Sequence, residues 1–81
     1  MQCFVYRSPR KPETYLYLAE ENAFSCVPQA LLAVFGQPEF CFDFELTPAR
    51  KLAREDAVEV LSNLEERGFH LQMAAENGDP F

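Results

Sequence analysis

The spacing of apolar and polar residues along the chain predicts four strands and two helices. Runs of β-branched and aromatic residues, and runs in which apolar and polar residues alternate, are typical of strands. The predicted strands cover residues 2–7, 14–18, 39–46 and 69–73. A proline start and a glycine end predict a first helix over 28–35, and an apolar stripe ended by Gly68 predicts a second over 54–67.

The third predicted strand has the most regular alternation, and this separates a core face from a face toward water. The residues expected to face the core are Phe40, Phe42, Phe44 and Leu46. Those expected to face water are Cys41, Asp43 and Glu45. The stripe of the second helix, expected to pack on those rings, consists of Ala57, Leu61 and Leu64 with Val58 and Val60 beside them.

The order ββαβαβ predicts an α+β fold in which a four-stranded mixed sheet packs with two helices. The connection through the second helix has the length of a right-handed crossover, which would make the third and fourth strands parallel if they were neighbours. The pattern leaves strand order open, and also whether the helices cover one face or both. Residues 1–73 are expected to form one domain, followed by a flexible C-terminal tail at 74–81.

Composition narrows the class of protein. The chain of 81 residues has a net charge of −6, which argues against general attraction to nucleic acids or membrane surfaces. No apolar run is long enough to cross a bilayer, and the N-terminal residues lack the pattern of a signal peptide. The three cysteines have no CxxC spacing, which suits unpaired thiols in a reducing compartment. We therefore expect a cytoplasmic protein, and a monomer.

Six short motifs, in this order along residues 3–72, resemble the YcgL family of small bacterial proteins. They are Cys3-Phe4-Val5-Tyr6-Arg7-Ser8, Thr14-Tyr15-Leu16-Tyr17, Phe24-Ser25 with Val27-Pro28, Phe35-Gly36-Gln37-Pro38, Arg50-Lys51-Leu52 and Gly68-Phe69-His70-Leu71-Gln72. The resemblance implies an α/β sandwich, allows helices on both faces of the sheet, and implies no established function. It supplies no catalytic or binding residue.

Basic residues are concentrated in two short segments. They are Arg7, Arg10 and Lys11 in the first, and Arg50, Lys51 and Arg54 in the second. The second segment adjoins the start of the second helix, where free N–H groups attract anions, and arginine can grip a phosphate through two hydrogen bonds. We hypothesise that this segment, with Arg7 or Arg10, binds a partner bearing phosphate or carboxylate. The alternative is that these cations solvate loops or pair with Asp43, Glu45, Glu55 or Asp56.

Three other groups have weaker chemical signals. His70 could act as a general base or metal ligand if Asp43 or Glu45 shared its face of the sheet with Tyr15, Tyr17 and Gln72. Metal binding by Cys3, Cys26, Cys41 and His70 matches no zinc spacing, so buried thiols are the preferred interpretation. The aromatic residues Phe4, Tyr6, Tyr15 and Tyr17 could stack bases, although packing within the core is the simpler interpretation.

These observations favour a non-enzymatic interaction module that binds a protein or a small anionic ligand. The alternative is an accessory factor in RNA metabolism that uses the basic residues. A hydrolase or transferase that uses His70 with Asp43 or Glu45 has less support. No cofactor and no metal are expected.

Overall fold

The computed structural model describes residues 1–52 and 55–73. The strands are β1 (Gln2–Arg7), β2 (Tyr15–Leu18), β3 (Glu39–Glu45) and β4 (Phe69–Gln72), and the helices are α1 (Gln29–Phe35) and α2 (Ala57–Arg67). The prediction of an α+β fold with four strands and two helices is confirmed. The predicted tail at 74–81 and Arg54 lie outside the described residues. Within the described ranges, neither helix is long and apolar enough to span a membrane.

The four strands form one sheet in the order β3-β1-β2-β4, and all three pairings are antiparallel. The prediction of a mixed sheet is therefore wrong. It depended on β3 and β4 being neighbours, whereas they lie at the two opposite edges. The chain crosses the whole width of the sheet between them, and α2 is formed on that crossing.

The two helices cover opposite faces of the sheet. Alternate side chains of the strands enter two separate clusters, as strand geometry requires. The cluster on the α1 face contains Tyr6, Leu16, Leu18, Val27 and Phe35. The cluster on the α2 face contains Cys3, Val5, Tyr17, Leu46, Ala57, Val60 and Leu64. The sheet thus forms the middle of three layers.

A β-bulge at Cys41 reverses the alternation of β3. Val5 pairs with Phe42, but the next residue of β1 pairs with Phe40, so Cys41 is the extra residue. Phe40 therefore lies on the α1 face, whereas Phe42 lies on the α2 face together with Phe44. Because β3 is an edge strand, Phe40 and Phe42 remain 52% and 51% exposed. The prediction that all three rings share one buried face is wrong.

Helix α2 begins later than predicted. Asp56 is its N-cap, and the carboxylate accepts a hydrogen bond from the Val58 N–H at 2.9 Å. Gly68 ends the helix in the left-handed conformation, with φ of 86°, in agreement with the prediction. Val60 and Leu64 are buried, but Val58 is 58% exposed. The apolar stripe is therefore narrower than the sequence indicated.

Helix α1 has only seven residues and no side-chain cap, so tertiary contacts must hold it. The buried hydroxyl of Ser8 supplies one of these contacts by donating to the carbonyl oxygen of Phe35 at 2.5 Å. The same hydroxyl accepts from the backbone N–H groups of Lys11 (2.9 Å) and Arg10 (3.2 Å). One side chain thus joins the turn after β1 to the end of α1.

Two acidic protons buried on the α2 face predict a loss of stability at alkaline pH. Burial raises the pKa of the Cys3 thiol from 9.0 to about 12 and the pKa of Tyr17 from 10.0 to about 12. The folded state keeps these protons after the unfolded state has lost them. The free energy of unfolding should therefore be unaffected by these groups below about pH 9 and fall above it, by up to about 1.4 kcal/mol per pH unit for each group.

Denaturant unfolding between about pH 8 and about pH 11 measures this slope. Cys3→Ala should make the alkaline decline shallower, because one of the two titrating groups is removed. Cys41→Ala is the matched control, since this thiol is exposed, and it should keep the wild-type slope. Equal slopes in Cys3→Ala and wild type would contradict the assignment.

Candidate ligand-binding groove

A groove of about 280 Å³ crosses the α2 face of the sheet. Its lining residues come from all four strands and from the chain segment that follows β3. They are Val5, Tyr15, Tyr17, Phe42, Phe44, Arg50, Lys51, Leu52 and Gln72. We call this feature the aromatic groove, because four of the nine side chains are aromatic.

The floor of the aromatic groove follows from the register of the strands. Val5 pairs with Phe42 on one side and with Tyr17 on the other. A small residue therefore lies between two aromatic ones, which leaves space above it. The Phe42 and Phe44 ring centroids are 5.8 Å apart, and the Tyr17 ring meets Phe44 edge-on at 6.5 Å. The bulge at Cys41 is what directs Phe42 into this arrangement.

A tight turn after β3 brings a cation over the aromatic floor. The Arg50 N–H donates to the carbonyl oxygen of Thr47 at 3.0 Å, with Pro48 at the position where proline favours a turn. The chain thereby folds back, and the Arg50 guanidinium carbon lies 4.7 Å from the centre of the Phe44 ring. Arg50 and Lys51 are both exposed, so their charges reach solvent at the rim.

A buried hydrogen-bonding pair closes the β4 end of the aromatic groove. The Tyr17 hydroxyl donates to Oε1 of Gln72 at 2.5 Å, and both residues are more than nine-tenths buried. Burial raises the pKa of Tyr17 to about 12, so the phenol keeps this proton at neutral pH. With Oε1 engaged, the amide NH2 of Gln72 finds no acceptor among the described residues, and it is left as a donor toward the groove.

Two carboxylates of β3 are directed away from the aromatic groove, whereas Glu55 is near enough to Tyr17 to contribute to its raised pKa. Asp43 lies on the α1 face and accepts from Gln2 Nε2 at 2.7 Å, while Glu45 binds the N-terminal ammonium at 2.6 Å. Among residues 1–52 and 55–73, no carboxylate is within ion-pair distance of Arg50 or Lys51. Within the described chain, the alternative in which acidic neighbours neutralise these two cations finds no support.

Arg7 and Arg10, two further residues of the predicted anion site, do not line the aromatic groove. Arg7 pairs with Glu39 at 2.8 Å, and this contact raises the pKa of the guanidinium. Arg10 donates from Nη1 to the carbonyl oxygen of Ala33 in α1 at 3.2 Å. Arg54 is outside the described residues. Of the four members of the predicted set that the structure describes, Arg50 and Lys51 line the groove together.

His70 has a different acidic partner from the predicted one. Its Nε2 lies 2.5 Å from Oε1 of Glu55, and its Nδ1 lies 2.9 Å from Nδ2 of Asn63. With the Asn63 amide as donor to Nδ1, the ring proton is on Nε2 and is donated to Glu55. Asp43 and Glu45 are on the opposite face. Both ring nitrogens of this buried histidine are hydrogen-bonded, so its contacts have a structural role, joining β4 to α2 and to the segment before α2.

The remaining candidates are also separated. Of the aromatic set, Phe4 and Tyr6 face α1, whereas Tyr15 and Tyr17 line the aromatic groove. Cys3 is buried, and the other two thiols are exposed. In the described part of the chain, no three His, Cys, Asp or Glu side chains form a group suited to a metal ion.

Sequence reasoning missed Phe42 and Phe44 as groove residues because their alternation assigned them to the core. A usable signal was the Thr47-Pro48 pair directly after the strand. A turn there returns the following residues over the last residues of the strand, and this places Arg50 above Phe44.

A profile of the YcgL domain matches residues 3–75. A YcgL domain-containing protein of Thioalkalivibrio sulfidiphilus is 56% identical over 80 residues, which cover 99% of this chain and 99% of the relative. YcgL domain-containing proteins of Pseudomonas aeruginosa and Azotobacter vinelandii are 59% and 56% identical over 71 residues, which cover 88% of this chain and 73% of each relative.

Proposed function

The chain belongs to the YcgL family, and for this protein we propose a non-enzymatic role as a cytoplasmic, monomeric interaction module that binds a small anionic ligand in the aromatic groove. The observation that carries the proposal is the position of Arg50 and Lys51. They stand at the rim of an aromatic floor with no carboxylate partner among the described residues.

The shape of the aromatic groove favours a small ligand. Its volume of about 280 Å³ is near the lower end of the range for small-molecule pockets. The floor offers rings and aliphatic surface, while the rim offers two cations. A ligand that matches both has a flat apolar part and an anionic group, which arginine can hold through two hydrogen bonds.

The two alternative functions have less support. An RNA strand is usually held by basic residues that follow one face, but here Arg7 pairs with Glu39 and Arg10 is bound to α1. A hydrolase or transferase based on His70 needs one ring nitrogen that can reach the substrate, with an acidic side chain beside the ring. Both nitrogens of His70 are hydrogen-bonded within the described fold.

Phenyl phosphate, which combines a flat ring with an anion, tests the proposal. Titration at low ionic strength, followed by amide resonances in two-dimensional NMR, should shift the signals of Arg50, Lys51 and Gln72. Arg50→Ala should weaken binding by about tenfold or more, because a charge-assisted hydrogen bond to the anion is lost. Added salt should weaken binding in wild type.

Arg67→Ala is the matched control, since Arg67 is an equally charged, exposed residue at the end of α2. It changes net charge by the same amount and should leave the affinity as in wild type. If both variants weaken binding equally, the attraction is a general charge effect. If wild type shows no shifts at the groove, the proposed function is wrong.

A further inference from the structure

We infer that the anionic ligand of the aromatic groove is a single nucleotide, with its base in the slot between Phe42 and Tyr17, its polar edge at Gln72, and its phosphate at Arg50 and Lys51. The inference rests on the proposed function and names the ligand class. It is carried by three independent features of the groove: an open ring surface, an amide donor that lines the groove, and a cationic rim.

The spacing of the strands separates Phe42 from Tyr17 across Val5. Phe42 and Tyr17 flank Val5 in consecutive strands of the sheet, so their Cα atoms are about 10 Å apart at the usual strand spacing. The guanidinium of Arg50 already covers the Phe44 ring. Phe42, in contrast, is 51% exposed and offers a free face on which a planar ring can stack.

The amide of Gln72 distinguishes a heterocycle from a simple aromatic acid. This side chain is 92% buried, since only 8% is exposed. Its oxygen is held by Tyr17, so the NH2 group points its hydrogens at the groove next to the phenolic oxygen, which can accept. A donor beside an acceptor matches the neighbouring acceptor and donor groups on the edge of a base. A hydrocarbon ring would make no hydrogen bond with this amide.

The charges of the aromatic groove and its size favour a single nucleotide as the ligand. Arg50 and Lys51 supply two positive charges at one rim, while Asp43 is directed to the other face of the sheet and does not oppose a phosphate. A volume of about 280 Å³ suits a ligand of about the size of one nucleotide.

The test compares five probes by NMR titration: adenosine monophosphate, cytidine monophosphate, phenyl phosphate, ribose phosphate and inorganic phosphate. At least one nucleotide should bind about tenfold or more tightly than ribose phosphate, because stacking adds to the contacts of the phosphate. Phe42→Ala should abolish this preference. Phe40→Ala is the matched control, because Phe40 has the same size and nearly the same exposure but lies on the opposite face.

A second variant isolates the role of the amide. Gln72→Met keeps the approximate length of the side chain and removes the amide, so it should weaken nucleotide binding by a larger factor than it weakens phenyl phosphate binding. If Gln72→Met fails to fold, Phe42→Ala still tests the nucleotide inference, because it alters an exposed residue.

The possible outcomes separate this inference from the proposed function. If phenyl phosphate binds as tightly as the nucleotides, or ribose phosphate does, the ligand is an anion of another class: the nucleotide inference fails while the proposed function stands. If none of the five probes shifts the groove resonances, both are wrong. Loss of the nucleotide preference in Phe40→Ala as well as in Phe42→Ala would also overturn the inference.

Discussion

Replacement of Phe35 by alanine is expected to lower the free energy of unfolding by about 3–5 kcal/mol. Phe35 is the last residue of α1 and only 1% exposed, and its ring packs into the cluster with Tyr6, Leu16 and Leu18. A helix of seven residues is unstable by itself. The buried ring is therefore a main source of the free energy that keeps α1 on the sheet.

Chemical denaturation of the variant measures this loss. A domain of this length has a stability of about 4–12 kcal/mol, so the change is a large fraction of the total. Val34→Ala is the control, because the neighbouring side chain is 44% exposed and should cost less than about 1 kcal/mol. Similar losses in the two variants would show that α1 does not use Phe35 as its anchor.

The ends of the two helices illustrate what local signals in the sequence can predict. Pro28 and Gly36 mark the two ends of α1, and Gly68 marks the end of α2, because each residue has a backbone preference that acts at its own position. The strands follow from similar local preferences. The predicted start of α2 is too early, because the prediction does not use the start signal of Asp56 followed three residues later by Glu59. The structure confirms Asp56 as the N-cap through the hydrogen bond that its carboxylate accepts.

Local signals could not predict how the strands pair or in which order they lie in the sheet. An alternating pattern in β3 is compatible with a central or an edge position, and it contains no mark of the bulge at Cys41. The bulge depends on how β3 pairs with β1, where Val5 and Tyr6 take partners two residues apart. The same holds for the antiparallel order of the sheet, because the length of a connection does not determine which strands are neighbours.

The basic residues of the candidate site could be predicted from the sequence, but the aromatic groove beside them could not. The sequence indicates Arg50 and Lys51 as candidate anion-binding residues, because the basic residues of this acidic chain are concentrated in two short segments. Their aromatic partners could not be identified without the bulge, which turns Phe42 away from Phe40, or without the turn that folds Arg50 back. Tyr17 and Gln72 are 55 positions apart, and only the pairing of β2 with β4 joins them.

The second large effect is expected on the other side of the sheet. Leu64→Ala should lower the free energy of unfolding by about 2–5 kcal/mol, because the side chain is 2% exposed and its loss leaves a cavity in the α2 cluster. The cluster includes Val5 and Tyr17, which also form the floor of the aromatic groove. A cavity there removes packing from Val5 and Tyr17, beside the proposed ligand site.

Two measurements on Leu64→Ala test this expectation. The denaturation midpoint should fall, and the resonances of Tyr17 and Gln72 should shift under conditions where the variant is still folded. Val58→Ala is the control on the same helix, since Val58 is 58% exposed and should change stability by less than about 1 kcal/mol. Because α2 packs on the sheet through Val60 and Leu64, a loss below about 1 kcal/mol in Leu64→Ala would mean that a different face of α2 supports the groove.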